Sequence, residues 1–325
     1  MNARNPKLVA PAIVRKLDPS IGGVAEALLD LENVSLPRFQ IGFPPQRLTM
    51  TLLGEFWAGR TEAIPSVALV RLLGAFGINE QAARVALGRL AARGALIMER
   101  RGRTTWYRQS PNLLHILPQG RAIAAGFGEP RTGWDGTWSI VTWSMAGGTA
   151  AAAHRVRLNL RELGFAPLNP GVWVSPDHPS DDLADAFAVA DDIVFTVFTA
   201  RDAEVTGATS PRSTWDPQEL RPEYDNFIEL FQPQLESLTQ RPVSPSEALV
   251  MRTRAVYRWF VIATLDPDLP AELLPIDWPR TEARRLFVSL VDHTTPIAER
   301  YVRSIIGESA PELVELVTLP PPYGS

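Results

Sequence analysis

Residues 77–110 read GINEQAARVALGRLAARGALIMERRGRTTWYRQS, and the spacing of their apolar positions changes once along the way. Ala83, Ala86, Leu87 and Leu90 stand at i, i+3, i+4 and i+7, one stripe of a helix. Asn79 is a good N-cap, Gly77 stops whatever precedes it, and Gly94 ends the stripe, so a helix is predicted over Glu80–Arg93. Beyond Gly94 two short strand-like runs, ALIMERR and TTWYRQS, flank Gly102-Arg103, which reads as a hairpin. The segment is also charged against the grain. Asn79 to Arg108 holds seven arginines and two glutamates, in a chain with a formal net charge of -4.

Two helices precede this segment. RLTMTLLGEFWAG places Leu48, Leu52, Leu53 and Phe56 at helical spacing. A second helix follows Pro65, which suits a first helical position, with Val70, Leu72, Leu73 and Phe76 on its apolar face. Helix, helix, tight turn, helix, hairpin is the order of a winged helix-turn-helix. With its apolar stripe turned to the first two helices, the third presents Gln81, Arg84, Val85 and Gly88, and Arg89 near the rim. A helix entering the major groove needs polar reach and little bulk; arginine can take guanine bidentately and glutamine can take adenine. Arg100, Arg101 and Arg103 surround the hairpin turn, where guanidinium groups reach phosphates or a narrow minor groove. A basic helix alone is as readily a solvated face. The coincidence of tight turn, polar helix front and three-arginine tip favours DNA. The acidic total is no objection, since binding depends on the local patch.

The rest of the chain divides around this region. Residues 1–45 form a leader, with one short helix in IGGVAEALLDLE and an extended PRFQIGFPPQ. A winged helix-turn-helix domain is expected over 46–130, closed by a helix after Ser110-Pro111. From Trp138 the order is strand TWSIVTWSM, helix AAAHRVRLNLREL, strands FAPLNP and GVWVSP around Pro170-Gly171, helix DDLADAFAVA and strand IVFTVFTA. That β-α-β-β-α-β order predicts a ferredoxin-like middle domain over 134–205. A mostly helical C-terminal domain follows over 210–318, with a capping box at Ser244-Pro245-Ser246-Glu247 and a frayed tail, PPPYGS. The fold class is α+β.

Composition bounds the function. The 325 residues include no cysteine, which excludes disulfides, thiolate zinc sites and cysteine nucleophiles. The N-terminal residues lack the apolar core of a signal peptide, and no apolar run reaches a membrane span, so a cytoplasmic protein without membrane contact is expected.

LTMTLLGEFW, LVRLLGAFGINEQAARVALGRLAARGALIMERRGRTTWYRQS, WDGTWSIVTWSM, LRELGFAPLNPGVWVSP and DPDLPAELLPIDWP together resemble the PaaX family. These are transcriptional repressors of phenylacetic acid degradation and related aromatic catabolism. The resemblance implies a winged-helix DNA-binding domain, a ferredoxin-like middle domain similar to a CRISPR-adaptation nuclease fold, and a helical C-terminal domain. It implies a homodimer on a palindromic double-stranded operator, released by an aryl-acyl-CoA such as phenylacetyl-CoA. Arg84 and Arg89 match arginines of the family pattern and carry over as DNA contacts; Gly88 stands where serine is usual.

No cofactor, metal or catalytic residue is expected. Asp135, before the first strand of the middle domain, is a metal-ligand candidate for a nuclease, but one carboxylate does not make a magnesium site, and a turn-capping role is the simpler reading. His154 reads as a surface histidine. The alternatives are therefore a metal-dependent nuclease and a DNA-binding regulator with no small-molecule effector. In the C-terminal domain Arg254 and Arg258, four apart, share a helix face beside Tyr257. They are the candidate site for a phosphate-bearing aryl effector, against the plainer reading of arginines paired to nearby carboxylates.

Overall fold

Proline and glycine set most of the element boundaries. The computed structural model describes residues 43–147, 149–179, 183–188, 192–202, 209–317 and 323. The helix expected at 21–32 lies outside them. The described chain divides into two units: 43–126 with 226–261 and 282 onward, and 127–225 with 262–281. No helix among the described residues is long and apolar enough to cross a membrane.

In the first unit α1 (Pro45–Phe56) opens on Pro45 and buries Leu48, Leu52, Leu53 and Phe56. Strand β1 (Ile64–Pro65) leads straight into α2 (Ser66–Gly74), with Pro65 as its N-cap residue. Gly77 takes a positive φ of 78°, which a Cβ would resist, and Asn79 then caps α3 (Glu80–Ala92). The expected stripe of α3, Ala83, Ala86, Leu87 and Leu90, is buried. Strands β2 (Leu96–Arg101) and β3 (Thr104–Gln109) form the hairpin, antiparallel from Leu96↔Gln109 to Arg101↔Thr104. Its turn has a positive φ at Gly102, the first central residue, where a two-residue hairpin demands glycine. The sheet order is β1-β3-β2. Gln109, 1% exposed, donates to the carbonyl of Trp57 at 2.6 Å and ties the hairpin's end to the end of α1. Helix α4 (Pro111–Gly126) follows.

The first unit also holds most of α7 (Arg221–Gln240) and α8 (Pro245–Leu265), and α9 (Arg280–Gly307) from Glu282 on. The capping box at the start of α8 is formed: the Ser244 N–H donates to Glu247 at 2.8 Å, and Glu247 N–H donates to Ser244 Oγ at 3.2 Å. Leu249 of α8 and Val302, Ile305 and Ile306 of α9 lie in the same apolar core as Leu53, Leu73 and Leu87. Arg71 of α2 pairs with Glu308 just past α9. At the bottom of α1, Glu55 is 3% exposed and accepts from Arg121 at 2.7 Å, from Arg252, and from the Tyr323 hydroxyl at 2.6 Å. Tyr323 corrects the expectation of a frayed tail at that residue. It is 2% exposed, packs edge-on against Phe287, and burial beside Glu55 holds its phenol well above the ordinary value, protonated and able to donate.

The second unit contains β4 (Thr137–Met145), α5 (Ala150–Glu162), β5 (Ala166–Asn169), β6 (Val172–Ser175), α6 (Leu183–Phe187) and β7 (Ile193–Arg201). The sheet is antiparallel in order β5-β6-β4-β7, that is second, third, first and fourth along the chain, which fits the ferredoxin-like fold. Alternation along β4 sends Val141 to the helix side with Val156, Leu160 and Phe187, and Trp138 to the other face with Trp215 and Leu269. A buried polar cluster anchors residues 266–280 here. Arg280 bridges Asp266 and Asp268 and donates to the Leu269 carbonyl at 2.7 Å, and Tyr224 donates to Asp266.

Candidate nucleic-acid interface

Helix α3 has two faces of opposite character. Leu87 is fully buried, while Gln81, Arg84, Val85, Gly88 and Arg89 are exposed, Val85 at 47%. The Asn79 side chain accepts from the Ala82 N–H at 2.8 Å, so its role is to start the helix. A Cβ on Gly88 would meet nothing within 4 Å, so this part of the helix surface is open. Glu80, Gln81, Arg84 and Val85 line one open concavity at the helix front. Arg84 does not project alone: its Nε and Nη2 both donate to Glu80, at 2.9 and 2.7 Å.

The hairpin arginines are placed differently from one another. Glu99 accepts from Arg101 at 3.0 Å and from Arg108 at 2.7 Å, and these bonds hold its carboxyl below the ordinary glutamate value. Arg101 also lies over the Trp106 ring at 4.3 Å, so its guanidinium is set against the hairpin. Arg100 and Arg103 are exposed at the tip, and neither they nor Arg89 form an ion pair among the described residues. The resulting surface has a neutral, polar helix front and cationic flanks.

Arg254, Tyr257 and Arg258 come together around a residue that sequence reasoning missed. Arg254 and Arg258 lie over the Phe43 ring at 5.1 and 5.2 Å, and Tyr257 meets the same ring edge-on at 5.5 Å. Arg47 donates to the Tyr257 hydroxyl at 3.5 Å. Burial pulls the Arg254 guanidinium below its ordinary value, the mark of a cation in a poorly solvated place. Phe43 and Arg47 stand over 200 residues from Tyr257, and nothing in the local pattern of either stretch points to the other. Arg252, on the same helix, is spoken for: it is 1% exposed and bound to Glu55.

Asp135 accepts from the Thr137 N–H at 2.8 Å, a turn bond that lowers its pKa. Among the described residues, no group of three or more histidines or carboxylates stands where it could hold a metal ion.

Three family models tile the chain. A PaaX-like protein model matches residues 45–113, the PaaX protein central Cas2-like domain matches 131–214, and the PaaX-like protein C-terminal domain matches 215–304. The chain is 27% identical over 258 residues to the transcriptional repressor PaaX of Escherichia coli strain K12, covering 77% of each. Among solved structures it is similar to the uncharacterized protein Rv0674 from Mycobacterium tuberculosis, at 26% identity and a TM-score of 0.50, over 81% of this chain and 98% of that one. With the α3 surface, the ferredoxin-like sheet and three consecutive models in agreement, the chain belongs to the PaaX family.

Proposed function

We propose that this chain is a transcriptional repressor of phenylacetic acid catabolism that reads DNA with a winged helix-turn-helix. Helix α3 enters the major groove, with Gln81, Arg84, Val85 and Arg89 toward the bases, and the β2–β3 hairpin is the wing, whose Arg100, Arg101 and Arg103 hold the backbone or the minor groove. The observation that carries this reading is the two-faced α3, core-packed through Leu87 and open through Gln81, Arg84, Val85 and Gly88. The repressor name of the E. coli relative supports the direction of regulation. The protein acts in the cytoplasm as a homodimer on a palindromic operator, and its work is binding rather than catalysis.

An aryl-acyl-CoA such as phenylacetyl-CoA releases the DNA. Its phosphates find Arg254 and Arg258, and the half-buried ring of Phe43 with Tyr257 offers an aromatic wall. For release, the thioester has to bind more tightly to a conformation whose half-site spacing is wrong for the operator, because a ligand with equal affinity for both states shifts nothing.

A nuclease-protection footprint on the DNA upstream of the gene tests the reading. The expected result is two protected half-sites about 34 Å apart, or a multiple of that. Absence of any protected region there or in neighbouring promoters would overturn it.

A further inference from the structure

We infer that Glu80 is a specificity-determining residue, one that aims Arg84 at a guanine and keeps it off the phosphate backbone. The inference rests on the DNA-reading role proposed for α3. Glu80 is the first residue of α3, and the helix already has its cap in Asn79, so the carboxylate is not needed to start it. A negative charge at a helix N-terminus is favourable in water. On a surface that approaches a polyanion the same charge is a liability, unless it does something there.

The geometry shows what it does. A guanidinium offers two paired donor edges, one through Nε and Nη2 and one through Nη1 and Nη2. Arg84 gives the first edge to a single oxygen of Glu80, at 2.9 and 2.7 Å. The end-on edge is not engaged by Glu80, and that is the fork that matches O6 and N7 of guanine. Both side chains are more than half exposed, 53% for Arg84 and 67% for Glu80, so an ordinary surface pair would contribute little to the fold. Its consequence is elsewhere. The pair offsets part of Arg84's charge, which weakens its attraction to a phosphate within reach, and it favours one orientation of the planar group before DNA arrives. The same four residues that line the open concavity, Glu80, Gln81, Arg84 and Val85, then form a neutral reading head. Its charge-driven affinity comes from the open Arg89, Arg100 and Arg103. Glu80 acts through Arg84, as a positioning residue.

The test compares the wild type, Glu80→Ala, Glu80→Gln, Arg84→Ala and the Glu80→Ala/Arg84→Ala double variant. Each is titrated on the footprinted operator, on operators with each half-site G·C pair changed, and on random DNA, at several salt concentrations. Circular dichroism checks that α3 stays helical. Glu80→Ala is expected to bind random DNA more tightly, with a log–log salt slope steeper by roughly 0.9 as Arg84 gains a phosphate. Its discrimination at one G·C position falls by roughly five-fold or more. Glu80→Gln, of the same shape but uncharged, shifts in the same direction. In the Arg84→Ala background, Glu80→Ala changes discrimination no further. Unchanged discrimination in Glu80→Ala and Glu80→Gln overturns the inference and leaves a surface ion pair. A loss that persists without Arg84 overturns the positioning role. A wild type with no preference among these DNAs sinks the DNA-reading role itself, a different failure from either.

Discussion

Replacing Glu55 with alanine removes the acceptor at the centre of a buried ionic knot. Glu55 is 3% exposed and receives Arg121, Arg252 and the Tyr323 hydroxyl. Arg252 is 1% exposed, and its Nε and Nη1 have no hydrogen-bond partner among the described residues, so without Glu55 its buried charge keeps only the Phe56 ring at 5.6 Å beside it. Arg121 is 11% exposed and can turn toward water, so the cost falls mainly on Arg252. Breaking a buried pair from one side costs about 3–5 kcal/mol. At about 2–4 °C per kcal/mol for a unit of this size, the thermal midpoint falls by roughly 6–20 °C. Urea unfolding of wild type and variant, followed by circular dichroism, measures the loss. The double variant Glu55→Met/Arg252→Met should be more stable than Glu55→Ala, because two apolar side chains need no partner. Glu55 lies in the helix next to Phe56, whose ring belongs to the core that holds α3, so DNA binding at elevated temperature should fail in parallel with the fold. A loss below about 1 kcal/mol, the level of an exposed pair, would refute the reasoning.

Other expectations follow from the α3 surface and its neighbours. Arg84→Ala should lower discrimination at one base pair by about 1–3 kcal/mol, and equal discrimination would remove it from base reading. Arg103→Ala should weaken all DNA alike and reduce the salt slope by about 1; an unaltered slope would reject the phosphate contact. Gly88→Ala fills open space on a helix and should stabilise the protein by about 1 kcal/mol in urea titrations, so a destabilised variant would contradict the open surface. Glu99, Glu247 and Glu308 all have pKa values lowered from 4.5 by their hydrogen bonds, so their stabilisation is fully present above 4.5 and is lost as pH falls through the lower folded values. Glu308→Gln should therefore show a shallower acid loss of the urea midpoint than wild type, and an identical acid profile would show that the Arg71 pair contributes nothing.

Short-range chemistry made α3 and the β2–β3 hairpin legible. Asn79, Gly94 and Gly102 each do one local job, and the spacing of Ala83, Ala86, Leu87 and Leu90 leaves one choice of inward face. The β-α-β-β-α-β order was readable for the same reason, since turns such as Pro170-Gly171 are local. What sequence did not reveal was pairing across distance. Glu55, in the apolar TLLGEFW, is an acid where a core helix wants none, but its partners are 66, 197 and 268 residues away. Phe43 is likewise remote from the arginines it carries. The Glu80–Arg84 pair was visible as an i,i+4 spacing, yet spacing does not say which edge of the guanidinium the carboxylate takes. Helix α6 (Leu183–Phe187) lies within the helix expected over DDLADAFAVA, of which residues 181, 182, 189 and 190 lie outside the described residues.

The protein is proposed to bind its own promoter and to let go when an aryl-acyl-CoA appears. Fluorescence anisotropy on the upstream DNA, at several salt concentrations and with phenylacetyl-CoA or free phenylacetate added, tests both halves at once. The expected result is tight, salt-dependent binding that the thioester abolishes and the free acid does not. Binding to that promoter no tighter than to random DNA, or a complex indifferent to the thioester, would contradict it.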